Sequence, residues 1–105
     1  MESKPDQLLH VIEEAAALMR SVGEDHWAGW LEKDARWIRA SDFYGVQHFY
    51  SAFGGMGSIT DLVIHPLNKH RVAESEISAV NDRLQYLLGR GYELAQEVRR
   101  EEAGG

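Results

Sequence analysis

The sequence contains no cysteine. Disulfide staples, thiolate nucleophiles and cysteine-held metals are excluded with it, and such a chain suits a reducing, cytoplasmic setting. Only two of its 105 residues are proline, Pro5 and Pro66, so most breaks between elements must come from glycines and capping side chains. No apolar run approaches the roughly 20 residues that span a bilayer, so no membrane contact is expected. The polar, acidic start MESKPDQLLH does not read as a secretory signal.

A basic surplus is missing as well. Eleven Lys and Arg stand against 17 Asp and Glu, a net charge of −6. That surface repels phosphate backbones, so nucleic acid is not an expected partner. The five histidines, His10, His26, His48, His65 and His70, form no HExxH and no i, i+4 pair with one another. No metal and no cofactor are therefore predicted. With no phosphate loop and no paired nucleophile and base in view, no catalytic residue is assigned and the protein is not expected to be an enzyme.

What the chain does contain is helical periodicity. Its length fits one domain, residues 1–105, with about 101–105 as a disordered tail. Leu8, Ile12, Ala15, Met19 and Val22 repeat at spacings of 4, 3, 4 and 3, which predicts a first helix from about Pro5 to Val22. Ser3 and Asp6 resemble a capping box, and Gly23 is a stop. A second helix is predicted from an Asp25 cap to Ala40, with Trp27, Leu31, Ala35 and Ile38 on one face. A short third helix, Phe43 to Phe53, takes Ser41 or Asp42 as its cap. In the last predicted helix, Glu74 to Arg100, Ile77, Val80, Leu84, Leu87, Gly91, Leu94 and Val98 alternate spacings of 3 and 4. The fold class this defines is all-α: a compact bundle of four to five helices with a glycine-rich joint between the third and the fourth.

That joint is Phe53-Gly54-Gly55-Met56-Gly57-Ser58-Ile59-Thr60-Asp61. Gly54, Gly55 and Gly57 are read as structural, turning the chain where other residues would be strained. Ser58 and Asp61 are read as acceptors for a new first turn, which makes SITDLVIH a short fourth helix; a strand is the competing reading. Met56 is the one side chain the loop projects. Asp34 falls on the inner face of the second helix, where a carboxylate needs a partner. It is read as a structural acceptor pinning the joint to that helix, with a general base as the alternative.

Eight aromatic residues lie within 27 positions, from Trp27 to Phe53. Helices this short cannot hide all of them, so Trp30, Trp37, Tyr44 and Tyr50 supply candidates for a surface patch. The motifs Trp27-Ala28-x-x-Leu31, Asp42-x-x-Gly45 and Phe53-Gly54-Gly55-Met56-Gly57-Ser58-x-x-Asp61-Leu62 resemble the signature of a family of small bacterial proteins, similar to the immunity-type proteins stored beside polymorphic or secreted toxins. The likeness spans about residues 8–65. It implies a small cytoplasmic domain that works by binding, and no catalytic residue. On that reading the partner is a cognate protein toxin, basic at its contact face, met by Glu13, Glu14, Glu24, Asp25, Glu32, Trp30, Tyr44 and Met56. Two alternatives stand beside it: a self-associating adaptor whose last helix seals a homodimer, and a small enzyme using Asp34 with a histidine.

Overall fold

The computed structural model describes residues 2–54 and 56–104. Four α-helices carry the chain: α1 (Lys4–Ser21), α2 (Asp25–Arg39), α3 (Tyr44–Tyr50) and α4 (Ile77–Gly104). No strand occurs among the described residues, and the all-α bundle expected from periodicity is what forms. α1 lies between α2 and α4, while α3 bridges α2 and α4 on another side. The last helix therefore packs on α1 and α3, and α1 stands between it and α2. With 28 residues, α4 is about 42 Å long at 1.5 Å per residue and sets the long dimension of a 47 × 31 × 20 Å molecule.

The predicted stripes become the core. Leu8, Ile12, Ala15, Met19 and Val22 are all buried, as are Leu84, Leu87, Leu94 and Val98 on α4. Ile77 and Val80, at the start of the α4 stripe, are only half-buried. Ser3 Oγ accepts from the Asp6 amide at 3.2 Å and starts α1 as its sequence suggests. α1 ends in a Schellman motif: the Gly23 amide bonds Arg20 O and the Glu24 amide bonds Met19 O. α2 repeats this ending through Ser41 and Asp42, which corrects the role of Ser41. It does not cap the third helix; it closes the second, at φ +61°. Asp42 instead accepts from the Tyr44 amide through Oδ1. The cap of α2 is likewise Glu24, whose side chain accepts from the Trp27 amide, and Asp25 is the first helical residue.

Between α3 and α4 the chain is a strap rather than a helix. The joint takes left-handed geometry at Gly54 (φ +92°) and Gly57 (φ +73°), and Ile59 N–H returns to Ala52 O to close it. Gly55 lies outside the described residues. Asp61 Oδ2 accepts from the Gly57 amide at 2.9 Å, but Ser58 Oγ bonds Thr60 Oγ1 and caps nothing. Only one 3-10 turn, Ile59–Asp61, forms where SITDLVIH was expected to be a helix. The reason is a competing partner. Asn81 on α4 accepts from Ile64 N–H and donates to Ile64 O, both at 2.8 Å, and so claims the backbone groups a helix would use. The strap then passes through a 3-10 turn at Pro66–Asn68 and is tied down where Arg71 N–H donates to Val22 O at 2.8 Å. A last 3-10 turn, Glu74–Glu76, leads into α4, which continues to Gly104, past the expected end at Arg100 and through residues 101–104 of the segment expected to be a disordered tail.

Gly91 is what lets α4 come close. A Cβ there would sit 2.8 Å from Phe49 Cζ and 3.4 Å from Val11 Cγ1, whereas a Cβ on Gly89 would meet nothing within 4 Å. The two glycines therefore separate by experiment. Gly89→Ala should stabilise the protein by about 1 kcal/mol through helix propensity. Gly91→Ala should destabilise it by about 1–3 kcal/mol through overpacking. Opposite shifts in thermal midpoint confirm the packing; shifts of the same sign contradict it.

Candidate functional site

α3 is seated on α2 unusually closely. A Cβ on Gly45 would lie 2.8 Å from Asp34 O and from Trp37 Cβ, so only glycine fits at the crossing. One turn along, His48 Nδ1 meets Asp34 Oδ1 at 2.5 Å, and the Trp30 indole N–H donates to His48 O at 3.3 Å. Asp34 is fully buried, and its Oδ2 has no hydrogen-bond partner. The expected acceptor on α2 thus pins α3, through a histidine, and not the glycine joint.

Burial pushes the Asp34 carboxyl up to about 8, with a small opposing pull from the Lys33 charge. Burial also moves His48 below its ordinary value, assisted by Lys33. Both directions favour one proton shared across the bond, with the carboxyl neutral. A neutral acid also tolerates the bare Oδ2: an unpartnered carbonyl-type oxygen in the core costs far less than an unsolvated carboxylate.

Rings enclose the histidine. Trp30 stacks on it at a centroid distance of 4.1 Å, Trp37 meets it edge-on at 5.2 Å, and Tyr44 lies 5.9 Å away. Trp27 and His26 extend the row beyond Trp30. This row is not sealed in the core: Trp27, Trp30 and Trp37 are half-buried, His26 is exposed, the His48 side chain is 19 % exposed and Tyr44 is 51 % exposed. A second ring group, Tyr50, Tyr92 and Phe53, lies between α3 and α4, with Arg99 over Tyr50.

The acids expected at a contact face are engaged within the chain. Glu13 pairs with Arg39 and Glu14 with Arg83. Asp25 and Glu32 converge on Arg20, at 3.0 and 2.7 Å. Glu24 caps α2 with one oxygen and takes the buried His70 Nε2 at 2.9 Å on the other. Because His70 Nδ1 accepts from His65 N–H and His65 Nδ1 accepts from Leu67 N–H, both rings are committed to backbone. Of the non-acidic contact candidates, Trp30 and Tyr44 belong to the aromatic row, and Met56 projects fully into solvent at the far end of the joint. Reading the sequence alone missed Asn81 and the partners His48, His70 and Arg20.

One apolar groove, about 470 Å³, lies between the joint and α4, lined by Phe53, Ile59, Leu62, Leu88 and Tyr92 among others. A second, of about 530 Å³, runs between the start of α1 and the α2–α3 corner. Neither includes Asp34 or His48. Among the described residues, no three His, Asp or Glu side chains gather as a metal site, and no helix is long and apolar enough to cross a membrane.

An all-α scaffold that turns a row of aromatic side chains outward is the class these features define. Residues 20–73, just over half of the chain, match the model of the DUF6966 family, described as a domain of unknown function, and the chain belongs to that family. The matched segment holds α2, α3, the joint and most of the strap. No curated protein and no solved structure matches the chain.

The shared proton has a pH signature. Between the ordinary histidine value of about 6.5 and the Asp34 value of about 8, the folded pair holds one proton more than the unfolded chain. Its contribution to stability is therefore complete below that window and is lost as pH rises through it. Between about 4 and 6.5, folded and unfolded pairs each hold one proton, and the contribution is level. Asp34→Asn keeps a hydrogen bond to His48 and should abolish the alkaline decline in urea-unfolding profiles. His48→Ala strands a buried carboxyl and should cost about 1–3 kcal/mol. An unchanged profile in Asp34→Asn rejects the shared proton.

Proposed function

We infer that the chain is a non-enzymatic, partner-binding protein of immunity or antitoxin type, which neutralises a cognate bacterial toxin in the cytoplasm by occluding it. The observation that carries this reading is the aromatic row of α2 and α3. Trp and Tyr side chains with one edge in solvent, held on rigid helices, are the anchors that dominate binding energy at protein interfaces. Asp34 and His48 approach catalytic geometry most nearly, yet they line neither large groove, which favours an anchoring role. The α4 stripe that could have sealed a homodimer is largely buried against α1 and α3, which leaves a different partner as the better reading. The family model names no function, so the toxin itself rests on the sequence resemblance.

The internal pairing of the five acids alters how such a complex forms. The pairs of Glu13, Glu14, Asp25 and Glu32 are exposed. Such pairs contribute little to stability, about 0–1 kcal/mol each, and a basic partner can exchange them, whereas Glu24 is spent on the α2 cap and the buried His70. Charge then steers the encounter while the rings hold the complex. The test is to sequence the flanking genes and co-express the chain with any secreted toxin they encode. The expected outcome is restored growth and a purified one-to-one complex. Tyr44→Ala should weaken that complex by about 1–2 kcal/mol, and its association rate should fall with added salt. Restored growth without a complex, or no rescue at all, rejects occlusion.

A further inference from the structure

We propose that the α2–α3 aromatic row is a carboxylate-recognition surface, in which His48 Nε2–H and the Lys33 ammonium receive an acidic side chain of a partner protein on a platform of Trp30, Trp37 and Tyr44. This assignment deepens the protein-binding reading and rests on it.

The geometry starts from the buried side of the ring. Asp34 Oδ1 holds His48 Nδ1 at 2.5 Å, so Nδ1 is occupied and the ring cannot turn. A neutral Asp34 donating to Nδ1 leaves the ring's own proton on Nε2; an ionised Asp34 beside an imidazolium leaves a proton there too. In both of these one-proton forms, which hold below the Asp34 value of about 8, Nε2 is a donor. It makes no hydrogen bond among the described residues and is not one of the buried unpartnered atoms. The donor is thus fixed in direction, protonated and open to solvent.

The exposed charge beside it on α2 is positive. Lys33 is exposed, lies one turn from both Trp30 and Trp37, and is near enough for its charge to act on Asp34 and His48. It takes part in none of the ion pairs among the described residues. The neighbouring acids of α2, Asp25 and Glu32, are drawn to Arg20. What faces outward is a cation, an N–H donor and three rings, with the Asp42 carboxylate turned to the Tyr44 amide, within a chain of net charge −6. A carboxylate satisfies both donors, and the aliphatic stem of a glutamate lies well on an aromatic face. A nucleic acid would also offer anions. It meets long-range repulsion from the net charge, and a single lysine neutralises too few phosphates to offset that.

The probe is acetylated, amidated hexaglutamate, added to the full chain at pH 6.5 and low salt, with hexalysine and a dodecathymidine strand as comparators. Nuclear magnetic resonance follows the His48 ring and the Trp30 and Trp37 indoles. The expected result is a saturable shift of these signals with hexaglutamate and not with the comparators. Lys33→Glu, at an exposed position, should weaken it ~10-fold or more, and Tyr44→Ala should also weaken it. No saturable shift with hexaglutamate, an equal shift with dodecathymidine, or an undiminished shift in Lys33→Glu overturns the assignment. Failure here is separable from failure of the binding role. A toxin complex that contacts this row through lysine or arginine keeps the role and removes the carboxylate. Hexaglutamate binding without any toxin complex does the reverse.

Discussion

The rest of the molecule is arranged around the contact between α3 and α2. Seven residues of helix have too few internal hydrogen bonds to persist alone in water. α3 exists because it is fastened at three points: the bare backbone of Gly45 against Asp34 O, the Asp34–His48 bond, and the Trp30 indole on His48 O. Each fastening is polar or steric, and Val46 and Phe49 bury the apolar side of the same helix. Placing α3 there puts Phe49 fully into the core beside Gly91 of α4. The same fastening that builds the aromatic row therefore also closes the bundle.

Fold and surface are for this reason difficult to separate in this chain. Trp30 donates a structural hydrogen bond from one edge and leaves part of its indole in solvent; His48 is tied to Asp34 on one edge and partly exposed elsewhere. A partner that engages the row leans on side chains whose rotamers are already fixed, so little conformational entropy is lost on binding. Tyr44 differs, being half exposed and joined to the row only through ring contacts. It is the residue through which binding can be altered with the least disturbance of the fold.

Periodic features were readable from the sequence, and long-range pairings were not. The α1 stripe from Leu8 to Val22 and the α4 stripe from Leu84 to Val98 repeat in register with a helix, so the residues themselves announce which face is buried. Local caps such as Ser3 with Asp6 were equally plain. SITDLVIH misled because its local signals, Ser58 and Asp61, were sound, while the group that overrode them, Asn81, lies 17 residues from Ile64. The acids misled in the same way. Glu13 and Glu14 look like free surface charge until folding sets Arg39 and Arg83 opposite them, 26 and 69 positions away. Asp34 was recognisable as a buried carboxylate needing a partner; that the partner is His48 follows only from how α3 docks.

The strap from Ala52 to Glu76 has a consequence of its own. Among the described residues it contains no α-helix; it is held by Ile59 and Ile64, both fully buried in the core, and by a few discrete polar ties: Asn81 on Ile64, His70 on Glu24, and Arg71 on Val22. Its amides are not part of a helical ladder, so local opening is opposed by those two buried side chains and a countable set of bonds rather than by a cooperative helix. The protein thus has two grades of integrity, a cooperative helical body and a lacing that loosens first. Amide exchange in the lacing would run ahead of global unfolding, and a protease would find its first cut near Met56 with the bundle still standing.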